Sequence, residues 1–144
     1  MPKKRVYLDT SLLVAALVHE SATAAVCSFL HHAEHDIWQV SRWVDTELAS
    51  ALAMQTRRGV ISAIERDEAF TRYQILSAQR LHSLHIEAAD YELAARLCLS
   101  EDAPLRAGDA VHLALCKRHN SCLVSLDKGL CRAARHHLVN VQEL

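Results

Sequence analysis

The chain has 144 residues, 51% of them hydrophobic, and carries a formal net charge of −1. That length suits one domain, residues 1–144, able to bury about two-thirds of the surface its unfolded chain exposes. Near-neutral charge excludes a globally basic nucleic-acid binder but allows a local basic rim, and the low count of three Gly and two Pro excludes a disordered chain.

In chain order, residues 5–8 read as a buried first strand, and the apolar pattern Leu12, Leu13, Ala16, Leu17 predicts a short helix from Thr10. Ser21 is the expected cap of a second helix with Ala24, Ala25, Phe29 and Leu30 facing inward. Residues 37–40 form the next strand, and Ser41 is the expected N-cap of a helix with Val44, Leu48, Ala51 and Leu52 on one face. Arg57-Arg58-Gly59 should stop that helix, with cations in its last turn and Gly at C′. Residues 62–80 predict a helix opened by a capping box, Ser62-Ala63-Ile64-Glu65. A strand at 83–86, a helix at 88–99 and a loop around Pro104 follow. A helix at 107–119, a strand at 121–126, a helix at 128–136 and a last strand at 138–141 complete the chain. Such alternation indicates an α/β domain with a mainly parallel central sheet. No apolar run approaches the roughly 20 residues of a membrane span, so no membrane partner is expected. The amino-terminal Met-Pro-Lys-Lys-Arg-Val-Tyr-Leu-Asp does not fit a signal peptide. The odd set Cys27, Cys98, Cys116, Cys122 and Cys131 contains no CxxC pair and reads as small buried hydrophobes in a reducing, cytoplasmic setting.

Asp9 and Asp127 end apolar strand runs, while Glu47 and Asp109 stand near helix starts. Ligands of parallel sheets bind beyond the carboxyl ends of strands, where all four acids could meet. Each has an ordinary explanation: a cap for Asp9 and Asp127, a complement to the helix dipole for Glu47 and Asp109. Together, like charges at about 4 Å repel by roughly 4 kcal/mol per pair at an effective dielectric of ~20. Such a cluster implies divalent cations on oxygen ligands and phosphate chemistry. Thr10 and Ser11 could cap the first helix and free Asp9. Ser125 shares a strand face with Asp127 and could bond a carboxylate. Arg106 opposes the dipole of the helix it precedes, so it should meet an acid or a phosphate. His112, one turn from Asp109, reads as a core residue rather than a ligand.

The order Leu8-Asp9-Thr10-Ser11, then Glu47-Leu48, then Gly108-Asp109-Ala110-Val111-His112-Leu113-Ala114, then Val124-Ser125-Leu126-Asp127-Lys128-Gly129 resembles the PIN-domain ribonucleases. At this length it is similar to the VapC toxins of prokaryotic toxin–antitoxin pairs. The resemblance implies an α/β/α sandwich and a quartet of Asp9, Glu47, Asp109 and Asp127 as catalytic and metal-binding residues, with Ser125 in a supporting position. It also implies one or two Mg²⁺ or Mn²⁺ ions, a homodimer, endonucleolytic cleavage of RNA and a cognate antitoxin protein. Arg57, Arg58, Lys128 and Arg132 are candidate guides for RNA phosphates.

Other chemistries lack their residues. An Asp-x-Asp phosphatase needs an acid where Ser11 stands, His32/His35 and His82/His85 have no HExxH frame, and no GxGxxG is present. With two Trp, three Tyr and two Phe scattered along the chain, no base-stacking platform is expected. The alternative of a different class is a catalytically idle module that uses the same fold to hold an antitoxin or RNA.

Overall fold

The computed structural model describes residues 2–144; Met1, where the expected single domain begins, lies outside them. Five parallel strands, β1 Arg5–Leu8, β2 Ile37–Ser41, β3 His82–Leu84, β4 Cys122–Ser125 and β5 Val141–Glu143, form one sheet in the order β3-β2-β1-β4-β5. Seven helices among the described residues complete the chain: α1 Thr10–Leu17, α2 Thr23–His32, α3 Arg42–Arg57, α4 Ala63–Arg80, α5 Ala88–Cys98, α6 Ala107–His119 and α7 Lys128–His136. Right-handed crossovers that run first toward β3 and then back toward β5 place the two helical groups on opposite faces, an α/β/α sandwich.

The central strands β1 and β4 are buried on both faces, which is why Val6-Tyr7-Leu8 and Leu123-Val124 read as continuous rather than alternating apolar runs. Their register pairs Val6 with Cys122 and Leu8 with Val124, so both strands end at the same level. Helix α6 runs through the core, with every residue from Ala110 to Cys116 buried.

Local signals set several boundaries. The Ser62–Glu65 capping box forms in both directions. Gly59, at φ +73°, lets the Gly59 N–H reach Thr56 O and the Val60 N–H reach Gln55 O, closing α3 in a Schellman motif.

Four expectations need correction. Ser21 does not cap α2, which starts at Thr23 after Ala22. Ala24, Ala25 and Cys27 are exposed, because α2 lies outside α1 and fully buries only Val26. Cys98 is exposed too, at the end of α5. The last strand forms three residues later than expected, since a turn through Leu138, at φ 59°, precedes it. Among the described residues, no helix is long and apolar enough to cross a membrane.

Candidate active site

The chain runs outward from β1 through β2 to β3, then crosses back to β4 on the other side of β1. The carboxyl ends of β1 and β4 therefore frame a topological switch point. Asp9 follows β1 there and Asp127 follows β4 just beyond Ser125.

Asp9 is almost fully buried and occupies the N-cap position of α1 without capping it through its side chain. Its Oδ2 instead accepts hydrogen bonds from Ser11 Oγ and Ser125 Oγ, both at 2.7 Å. The same two hydroxyls accept the backbone N–H groups of Leu126 and Asp127. The turn that presents Asp127 is thus hung on Asp9. Neither Thr10 nor Ser11 caps α1: Ser11 serves Asp9, and Thr10 Oγ1 donates to Glu47 Oε1 at 2.8 Å.

Glu47 projects from the second turn of α3. His112 Nε2 and Thr10 share its Oε1, and the Trp43 indole lies beside it. Burial pushes the Glu47 carboxyl up, but these hydrogen bonds and the His112 charge outweigh it and hold it below its ordinary value. His112 is fully buried, and Tyr7 hydroxyl meets its Nδ1 at 2.7 Å. Burial alone would lower the imidazole, but Glu47, Asp9 and Asp109 raise it above its ordinary value.

Asp109 sits in the first turn of α6, after Gly108. Gly108 gives α6 a close approach to α3. A Cβ there would come 2.5 Å from Trp43 Nε1 and 3.1 Å from Glu47 Oε2. The partly buried Asp109 carboxylate accepts no hydrogen bond among the described residues. Burial, then the charges of Asp9, Asp127 and Glu47, push it up to about 6. Asp127 is exposed; one oxygen caps α7 by accepting the Leu130 N–H at 3.0 Å, so the cap expected from the sequence forms and the other oxygen stays free of it.

Glu47 and Asp109 converge with His112, and Asp9 and Asp127 lie near enough for their charges to act on Asp109. Donor atoms of Glu47, Asp109 and His112 lie within 4.8 Å of one another, and His112 Nε2 is 3.9 Å from Asp9 Oδ1. These carboxylates form a hard oxygen donor set in which Asp109 lacks a compensating donor, and this fits a divalent cation. Arg106 does not join them: it precedes α6 with an exposed side chain and no carboxylate partner among the described residues. Sequence reasoning missed the parts played by Tyr7, Ser11, Trp43 and His112. Trp43, one helical turn from Glu47, and His112, one turn from Asp109, carried the only local signal.

The sequence matches the PIN domain family model over residues 6–136. No curated protein matches it. Among solved structures, the fold is similar to VapBC2 from Rickettsia felis bound to a promoter DNA fragment, with a TM-score of 0.68, 15% identity, and 96% and 97% of the two chains covered. It is also similar to VapC20 of Mycobacterium tuberculosis, described as a sarcin–ricin loop cleaving toxin, at TM-score 0.70, 17% identity and coverage of 89% and 94%. FitAcB from Neisseria gonorrhoeae gives 0.70, 19%, 94% and 95%. With the family model spanning most of its length, the chain belongs to the PIN domain family.

Proposed function

We propose that this protein is a divalent-metal-dependent endoribonuclease, the toxin of a toxin–antitoxin pair, with Asp9, Glu47, Asp109 and Asp127 as its catalytic acids. The observation that carries the reading is Asp109: a partly buried carboxylate, without a hydrogen-bond donor, raised to about 6 by burial and its acidic neighbours. A bound cation would offset both the burial and the acidic neighbours that raise it. The carboxylates of Asp9, Glu47 and Asp109 would hold Mg²⁺ or Mn²⁺, with the free oxygen of Asp127 available at the rim. A bound ion of this kind supplies Lewis-acid stabilisation and an activated water for phosphodiester hydrolysis.

The protein's own contribution is positional. Ser11 and Ser125 orient Asp9, Thr10 and His112 orient Glu47, and the α7 cap fixes Asp127. The two serines leave Asp9 Oδ1, and Thr10 and His112 leave Glu47 Oε2, free of these donors.

The toxin reading rests on the PIN family and on the shared fold with VapC20, described as a sarcin–ricin loop cleaving toxin. An antitoxin protein, a homodimer and a cytoplasmic setting belong to that proposal, as does the treatment of residues 1–144 as one PIN domain. Of the basic candidates, we propose Lys128 and Arg132 as guides for RNA phosphates. Lys128 and Arg132 lie on α7 beside Asp127, and Arg132 lines a cleft of about 530 Å³ between α7 and the segment 102–104. Arg57 and Arg58 end α3, about 15 Å along the helix from Glu47, and take no part in the proposal.

The test is cleavage of a structured RNA by purified protein. Cleavage should require Mg²⁺ or Mn²⁺, stop with EDTA and be absent in Asp9→Asn. RNA binding without cleavage at any metal concentration would replace this reading by the idle module. Lys128→Gln with Arg132→Gln should flatten the salt dependence of cleavage.

A further inference from the structure

Beneath the acids, a polar chain crosses the core. Ser41 at the end of β2, Tyr7 on β1 and His112 on α6 are each fully buried. Tyr7 hydroxyl lies 2.9 Å from Ser41 Oγ and 2.7 Å from His112 Nδ1, and His112 Nε2 meets Glu47 Oε1. Apolar side chains would fill this space without the desolvation penalty of three polar groups, a penalty recovered only if every group is paired. Here every group is paired, and the chain ends on Glu47.

The protonation pattern follows from the partners. A carboxylate only accepts, so His112 Nε2 carries the proton it donates to Glu47. A protonated Nε2 has no lone pair for a cation, and Nδ1 is turned into the core toward Tyr7. His112 therefore stands within reach of the acids without being a ligand.

We infer that Tyr7 and His112 form a positioning relay that holds Glu47 Oε1 in place and leaves Glu47 Oε2, packed against Gly108, for the cation. Tyr7 fixes the imidazole plane from below, and the imidazole fixes the carboxylate, as outer partners of metal-binding groups commonly do. The relay rests on the proposed metal centre but is a separate claim about how Glu47 is held.

The measurement is Mn²⁺ affinity of the purified protein, read from the free-Mn²⁺ electron paramagnetic resonance signal, with circular dichroism and thermal melting as controls. His112→Leu keeps the volume apolar and should weaken binding about tenfold or more. His112→Gln retains a side-chain N–H at similar reach and should restore most of the affinity. Tyr7→Phe keeps its ring and should weaken binding by a smaller factor. Wild-type affinity in a folded His112→Leu protein overturns the relay. Equal losses in the Leu and Gln variants also overturn it, because packing rather than the donated proton would then be responsible. Should His112→Leu fail to fold, Tyr7→Phe decides: unchanged affinity overturns the relay and weakened affinity supports it. A wild type that binds no Mn²⁺ overturns the metal centre and the relay together.

Discussion

Ser125 donates its hydroxyl to Asp9 Oδ2 at 2.7 Å, across the gap between β4 and β1 and over 116 positions of sequence. The same hydroxyl accepts the Asp127 N–H at 3.0 Å. One buried side chain therefore sets both the rotamer of Asp9 and the turn that carries Asp127. Ser125→Ala leaves a backbone N–H and a carboxylate oxygen each short of a partner. The expected results are a loss of about 1–2 kcal/mol in urea unfolding and a cleavage rate lower by about tenfold or more. Wild-type cleavage in the folded variant would show that Ser11 alone suffices to orient Asp9.

Asp109 should make the metal-free protein sensitive to pH. Its folded-state value is raised to about 6 from an ordinary 3.8, so the folded state binds the proton more tightly than the unfolded state. That contribution is fully present below about pH 4 and is lost as pH rises through about 6. Glu47 and Asp90 act in the opposite sense, but they are held below their ordinary values and lose their contributions only at more acidic pH. His119 and His137 are held below their ordinary values by burial and oppose Asp109 in the same window. The Asp109 contribution is therefore read as the metal-free melting temperature of wild type minus that of Asp109→Asn, which should fall between pH 4 and 6, with saturating Mg²⁺ reversing the fall. Asp109→Asn should remove that contribution, abolish cleavage, and raise metal-free stability at pH 7.5 by on the order of 1 kcal/mol, roughly 3 °C. A wild-type-minus-variant difference that does not fall from pH 4 to 6 would contradict the assigned environment of Asp109.

Gly108→Ala should damage the site from an unexpected side. The added Cβ would stand 2.5 Å from Trp43 Nε1 and 3.1 Å from Glu47 Oε2. Trp43 is partly exposed and can swing outward, so the fold should survive while Glu47 shifts. Mn²⁺ affinity and cleavage should both fall, with melting temperature changed by only a few degrees. Retention of wild-type Mn²⁺ affinity would mean that α6 can retreat from α3 at no expense to the site.

Away from the site, Asp90 anchors α5 to α6. Its side chain is almost fully buried, and both carboxylate oxygens accept from Arg118, each at 2.8 Å. Oδ2 also accepts the Glu87 N–H in a capping box. Asp90→Ala leaves the partly exposed guanidinium with only His85 O and Glu87, opens the cap, and should reduce stability by about 2 kcal/mol in chemical unfolding. Cleavage by the remaining folded protein should be unaffected. A loss below about 1 kcal/mol would show that solvent replaces the pair.

Much of the fold was legible because its signals are local. The α3 stop at Gly59 and the Ser62–Glu65 capping box are written in adjacent residues, and the doubly buried β1 and β4 announce themselves as apolar runs. Exposure was less legible. Helical periodicity cannot tell which layer a helix joins, so Ala24, Ala25 and Cys27 on α2 face solvent despite their apolar character.

By itself, the sequence determined which four acids stand at strand ends and helix starts. Only the tertiary structure decided what surrounds them. Ser11 and Ser125 share one oxygen of Asp9 across β1 and β4. His112 reaches Glu47 from 65 positions away, with Tyr7 behind it. Those contacts depend on strand order and on how α3 and α6 approach the carboxyl edge. Hydrogen-bond partners brought together by packing leave no mark in the spacing of either segment. Acid positions follow from local chain geometry, whereas their protonation and aim follow from neighbours that the fold alone supplies.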